Sequence, residues 1–354
     1  MRLFTDTRGI RRRPQRPHGT LPDNNLVEEM TAEAERYADR LSGHGDVVAV
    51  TLGGGLSRGY GDALSEIDLN VYLDEAHVRD WRIGKGLIPH GDHLGDRYHM
   101  DVSFLTLGEE RASKWSLLKK WDASYQRVLH DPTGAISELL DEKDVFTAGE
   151  KHSLATRGYL DCTYYGDIVV RQWSLRGDPL AANQMISRGF PALCNLLFLA
   201  NDEYPPFEKW LLNYSHSLGW KPDDWRRRVE EITITKEPGF GEVERRSVAF
   251  MELYREVWGR VVGEEYSHTG LLELDALEAL EYVVESRPTV REFNERYGEA
   301  ALGYEVFFKL AGVVEEHGVE RVVFNRGRFL EEKAAGFPGF LGWNREMLSH
   351  LRLR

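Results

Sequence analysis

The sequence predicts an α+β protein, a small mixed-sheet domain followed by an α-helical domain. Short β-branched or alternating segments cluster between residues 46 and 131, whereas helical spacing of apolar residues dominates from about residue 146. At 354 residues, 42% hydrophobic and 11% aromatic, the chain is long enough for two ordinary cores.

Residues 1–25 are rich in Arg and Pro and lack the apolar stretch of a secretory signal, so they read as a flexible basic tail. LVEEMTAEAERYADRL (26–41) has helical apolar spacing and ends at Gly43. DVVAVTL (46–52) is a short strand running straight into three glycines. IDLNVYL (67–73) alternates, with Ile67, Leu69, Val71 and Leu73 on one face and Glu66, Asp68, Asn70 and Tyr72 on the other. After a long loop, RYHMDVSFLTL (97–107) alternates again, Met100, Val102 and Phe104 opposing His99, Asp101 and Ser103. A helix over 109–120 and an extended YQRVLHD (125–131) complete a domain of residues 26–145. Residues 146–354, with segments such as WRRRVEEI, EVERRSVAFMELYREVWGRVV and LLELDALEALEYVVESR, read as successive amphipathic helices.

Charge and cysteine content narrow the function classes. A formal charge of -13 argues against a protein built to grip nucleic-acid phosphates. No apolar run reaches the ~18 residues of a membrane span. The two cysteines, Cys162 and Cys194, read as reduced, buried thiols of a cytoplasmic protein.

The chemistry concentrates in GGGLSRGYGDALSEIDLNVYL (53–73). Two acids separated by one apolar residue share a strand face, so Glu66 and Asp68 repel unless a cation lies between them. Asp101 occupies the corresponding face of a later strand. If the strands are neighbours, three carboxylates converge, and a divalent metal is the physical remedy. The upstream glycines leave a backbone clear of side chains, whose N–H groups suit phosphate oxygens. Acids for Mg²⁺ beside a glycine turn are the equipment of phosphoryl or nucleotidyl transfer.

These residues resemble the signature of the DNA polymerase β-like nucleotidyltransferase superfamily: a glycine pair, about ten residues, then acid-apolar-acid-apolar on a strand. Here that is Gly54-Gly55, then Glu66-Ile67-Asp68-Leu69, with Ser57-Arg58-Gly59 and Ser65 between and Asp101 as the third acid. The likeness covers roughly residues 30 to 130. The helical remainder is similar in outline to bacterial small-substrate nucleotidyltransferases such as the aminoglycoside- and lincosamide-modifying enzymes.

The resemblance implies a two-metal site in which Glu66, Asp68 and Asp101 hold Mg²⁺. It further implies that Gly54, Gly55, Ser57, Arg58 and Ser65 receive ATP or another NTP. The implied activity is transfer of a nucleoside monophosphate to a hydroxyl of a small molecule or a protein, with nucleic acid disfavoured by the charge. Two departures stand out: Gly55 replaces the usual Ser, with Ser57 a nearby hydroxyl, and Glu66 replaces the usual first Asp. We read them as adaptation; the alternative is a catalytically weak nucleotide-binding regulatory or antitoxin-like module.

Other residues invite roles. Lys209 lies in the first turn of a helix, where a cation opposes the helix dipole. A triphosphate contact explains it, and so does an ion pair with Asp202 or Glu203. Arg171 and Arg176 are weaker candidates for the same task. His90, His93 and His99 fit no standard zinc spacing and read as a polar loop edge. Arg345 and His350 have the spacing of a pair found in helical RNases, which arises readily by chance.

Overall fold

The computed structural model describes residues 4–21, 25–263, 271–297, 302, 305–340, 345, 348 and 351, with backbone alone at 271–275 and 308. The first half carries strands β1 (Thr7–Arg8), β2 (Val47–Leu52), β3 (Ile67–Leu73), β4 (Gly91–Leu94), β5 (His99–Leu105), β6 (Arg127–His130) and β7 (Val145–Phe146). Five of them form one mixed sheet in the order β4-β5-β3-β2-β6. Its β3–β5 pairing is parallel and the others are antiparallel. A parallel return needs a long crossover, and the segment between β3 and β5 supplies it.

The two faces of this sheet are covered differently. Met30, Ala34 and Leu41 of helix Val27–Ser42 pack on one face against Ile67, Leu69, Val71, Met100, Val102 and Phe104. On the opposite face, Ala49 and Tyr72 lie beneath Trp115 and the Ile136 and Leu139 side chains of helix Ala135–Lys143. That cover protects one end of the strands. Asp68, Asn70, Asp101 and Ser103, on the same face nearer the start of β3 and β5, instead border a cleft.

Helices Ala148–Thr163, Pro179–Ala200 and Phe240–Val262 build a second core around Leu193, Phe198, Phe250 and Trp258. Cys162 and Cys194 are both buried and free within it, and burial pushes both thiols up. A third cluster gathers Leu280, Phe293, Phe307, Leu310 and Phe329. It includes a hairpin of β8 (Ala311–Glu316) and β9 (Val319–Phe324), so residues 146–354 are not helical throughout. His317 and Gly318 join its strands with φ of 53° and 77°, the positive angles that a tight two-residue hairpin turn requires. No described helix is long and apolar enough to cross a membrane.

The N-terminal segment corrects an expectation. Residues 4–21 are a docked strap rather than a flexible tail. β1 pairs antiparallel with β7, and Ile10 is fully buried among residues of the helical core. Four of the arginines that suggested a free basic tail have specific acids. Arg11 and Arg12 pair with Asp141, while Arg13 and Arg16 reach the buried Glu203 at 2.9 and 3.1 Å. Burial pushes the Glu203 carboxyl up and the two guanidinium groups oppose that rise. The Tyr125 hydroxyl donates to the Pro17 carbonyl at 2.6 Å, fixing the strap beside the cleft, and Leu21 lines the cleft itself.

Two smaller differences have local causes. The helix expected over 109–120 is broken into Leu107–Ala112 and Leu117–Ala123, because Ser116 caps a new helix by accepting from the Lys119 N–H. β4 lies within the expected long loop as a short polar edge strand.

Candidate active site

The strand register brings two predicted acids together. Asp68 of β3 is directly paired with Asp101 of β5 across the parallel ladder. Both line the cleft, as does the exposed Glu66, one residue ahead of β3. Period-two alternation puts Asn70 and Ser103, the next pair along, on the same face.

Asp68 is the electrostatic centre. Its half-buried carboxylate accepts no hydrogen bond among the described residues, and it is pushed up to about 7, first by burial and then by Glu66 and Asp122. Arg58 opposes the rise, and Asp101 adds to it. A carboxylate in this setting suits a bound cation, whose charge would offset both burial and repulsion. Among the described residues, no three Asp, Glu, His or Cys side chains are closed into a ready-made metal cage. Of the histidines read as a loop edge, His93 and His99 instead lie on β4 and β5; His90 stacks on Phe104, the His93 ring meets the Gly91 carbonyl, and His99 lies beside Asp92.

The glycine turn is shaped around Asp68. Gly54 has φ of 58°, and a Cβ built there would lie 1.6 Å from Asp68 Oδ2. Only glycine meets both conditions without displacing the acid. A Cβ on Gly55 would meet the Tyr60 ring at 2.7 Å, which accounts for the missing serine in physical terms. The N–H groups of Gly54 and Gly55 have no acceptor among the described residues and open the short helix Gly54–Ser57.

The remaining predicted residues divide. Arg58 lines the cleft, held by Asp122 at 2.6 Å and lying over the Trp121 ring at 4.5 Å. Burial works against its cation, but Tyr60 and Asp122 more than compensate and raise it. Ser65 lines the cleft and donates to Asp62 at 2.9 Å. Ser57 does not reach the cleft, because its hydroxyl donates to the Gly54 carbonyl at 2.9 Å.

Lys209 lies at the start of helix Glu208–Ser215 and lines the cleft. Neither acid offered as its ion-pair partner is available: Lys151 pairs with Asp202, and Arg13 and Arg16 take Glu203. Arg171 pairs with Asp167 outside the cleft, and Arg176 lies over Trp173. His350 lies outside the described residues, so the Arg345–His350 pair has no structural account.

The cleft, about 840 Å³, is also bordered by residues that strand periodicity does not flag. Asp122 comes from helix Leu117–Ala123, whereas Tyr60, Trp121, Phe207 and Trp210 form an aromatic wall. The Tyr60 and Trp210 rings are 4.8 Å apart, joining the glycine loop to the helical half. The sequence signal for this wall is the density of aromatics around residues 204–214, without any sign of where they point.

Residues 122–211 match a family model described as a domain of unknown function, DUF4037. The matched segment contains Asp122 and Lys209, which both line the cleft. No curated protein matches the chain. Among solved structures, the chain is similar to a nucleotidyltransferase-like protein from Exiguobacterium sibiricum 255-15, at 11% identity and a TM-score of 0.40, over 85% of this chain and 99% of that one.

Proposed function

We propose that the chain is a Mg²⁺-dependent nucleotidyltransferase that moves AMP from ATP to a hydroxyl of a small molecule or protein. The observation that carries the reading is Asp68: a half-buried acid without a hydrogen-bond donor among the described residues, paired with Asp101 and wrapped by a turn that must be glycine. Glu66, Asp68 and Asp101 would hold Mg²⁺, which supplies charge neutralisation at phosphoryl oxygens when bound. The N–H groups of Gly54 and Gly55, without an acceptor among the described residues, would receive phosphate oxygens, with Lys209 reaching the same phosphates from helix Glu208–Ser215. Arg58, fixed by Asp122, would keep a positive charge beside the turn, and the Tyr60–Trp210 wall offers flat apolar surface to a base or an acceptor ring.

In the step itself, the acceptor oxygen forms a bond to the α-phosphorus while the bond from that phosphorus to the bridging oxygen breaks. Pyrophosphate leaves, and Asp101 takes the acceptor hydroxyl proton. The chain's main contribution would be positioning and a prepared electrostatic environment.

A second reading has its own support. The acids are not closed into a cage, and Gly55 carries no hydroxyl, which suits a nucleotide-binding regulatory or antitoxin-like module without turnover. Pyrophosphate release with Mg²⁺ and ATP, measured across hydroxylated small molecules and cell-extract fractions, separates the two. Release that requires an acceptor supports transfer; ATP binding with no product in any fraction favours the silent module.

A further inference from the structure

Away from the cleft, helices Val169–Leu175 and Phe240–Val262 border a groove of about 530 Å³ whose lining is largely apolar. Leu175 at its edge is 90% exposed and Val248 52%, although each has apolar neighbours along the groove. Along helix Phe240–Val262, Glu244, Val248, Met251 and Arg255 follow one another at steps of four, three and four, so they form one stripe. Neither Glu244 nor Arg255 has a charge partner among the described residues. The other acid and base at the groove, Asp167 and Arg171, already pair with each other at 2.5 Å.

The order of this stripe is symmetric about its centre. Acid, apolar, apolar, base reads as its own complement when a second copy of the helix runs in the opposite direction. A two-fold axis at the midpoint between residues 249 and 250 sets Val248 against Met251 of the second copy. The same axis sets Glu244 against Arg255, about 16 Å along the helix from each other in one chain at ~1.5 Å per residue. A two-fold contact must be self-complementary in this way. A parallel pairing would place Glu244 against Glu244, and an unrelated partner would not require the matched spacing.

We propose that the protein is a homodimer in which the two Phe240–Val262 helices pair antiparallel. Val248 and Met251 are covered at its centre, and two Glu244–Arg255 pairs close its ends. This inference is independent of the chemistry proposed for the cleft.

Light scattering on full-length protein during size-exclusion chromatography, together with sedimentation equilibrium, tests it. The wild type is expected to be dimeric at micromolar concentration. Val248→Glu, which buries two like charges at the axis, is expected to weaken association at least about 100-fold. Glu244→Arg and Arg255→Glu should each dissociate the dimer through like-charge contacts, and the double variant should restore it. These swaps lie at exposed positions, so circular dichroism should show an unchanged fold, and they decide the matter even if Val248→Glu folds poorly. A monomeric wild type, a dimer indifferent to Val248→Glu or to the single swaps, or a double swap that stays apart would overturn the proposal.

Discussion

Replacing Asp68 with Asn should stabilise the metal-free protein, and by an amount that depends on pH. In the folded chain Asp68 is raised from its ordinary 3.8 to about 7, chiefly by burial and then by Glu66 and Asp122. The unfolded chain releases this proton first, so the native state holds more protons between the two values and stability falls as pH rises through that window. At ~1.4 kcal/mol per pH unit, the full rise is worth roughly 4 kcal/mol of lost stability above about pH 7. The neutral amide removes the charge penalty, so Asp68→Asn should gain about 2–4 kcal/mol near pH 8 and almost nothing near pH 4. Urea unfolding in EDTA, followed by circular dichroism at the two pH values, measures this directly. Stability curves that run parallel for the two proteins would refute the electrostatic account of Asp68.

Three further substitutions probe separate parts of the site and fold. Gly54→Ala should cost at least about 2 kcal/mol in chemical denaturation, combining left-handed backbone strain of ~1–2 kcal/mol with the collision at Asp68. It should also lower ATP affinity in calorimetry. Lys209→Ala should raise the KM for nucleotide about 10-fold with an unchanged melting temperature, because Lys209 has no ion-pair partner among the described residues to lose. Ile10→Ala should destabilise the protein by about 2–4 kcal/mol in urea, the cost of emptying a fully buried core position, whereas a free tail would show no effect.

Much of the sheet was legible because its chemistry is periodic. Alternation in IDLNVYL marks both the buried Ile67–Leu69–Val71 face and the acid face, and the same rule in HMDVSF puts Asp101 opposite Asp68 once the strands pair. The strap was not legible. Its arginines find Asp141 and Glu203 about 130 and 190 residues further along the chain, and no local pattern marks pairs at that range. Asp122 was missed for a related reason, since it enters the cleft from a helix with no alternation to single it out. The β8–β9 hairpin was readable in principle from His317-Gly318 between β-branched runs, but helical spacing on either side obscured it. Gly55 shows the reverse case: the sequence registers the missing serine, and only packing against Tyr60 supplies a reason.

The most direct test of nucleotidyl transfer follows the label from ATP carrying radioactive phosphorus at either the α or the γ position. Each is incubated with Mg²⁺, cell-extract fractions, and wild-type or Asp68→Asn protein. The wild type should move α-label to an acceptor and release γ-label in pyrophosphate, and both should be lost with Asp68→Asn. Transfer of γ-label to an acceptor, or equal α-transfer by the two proteins, would contradict nucleotidyl transfer at this site.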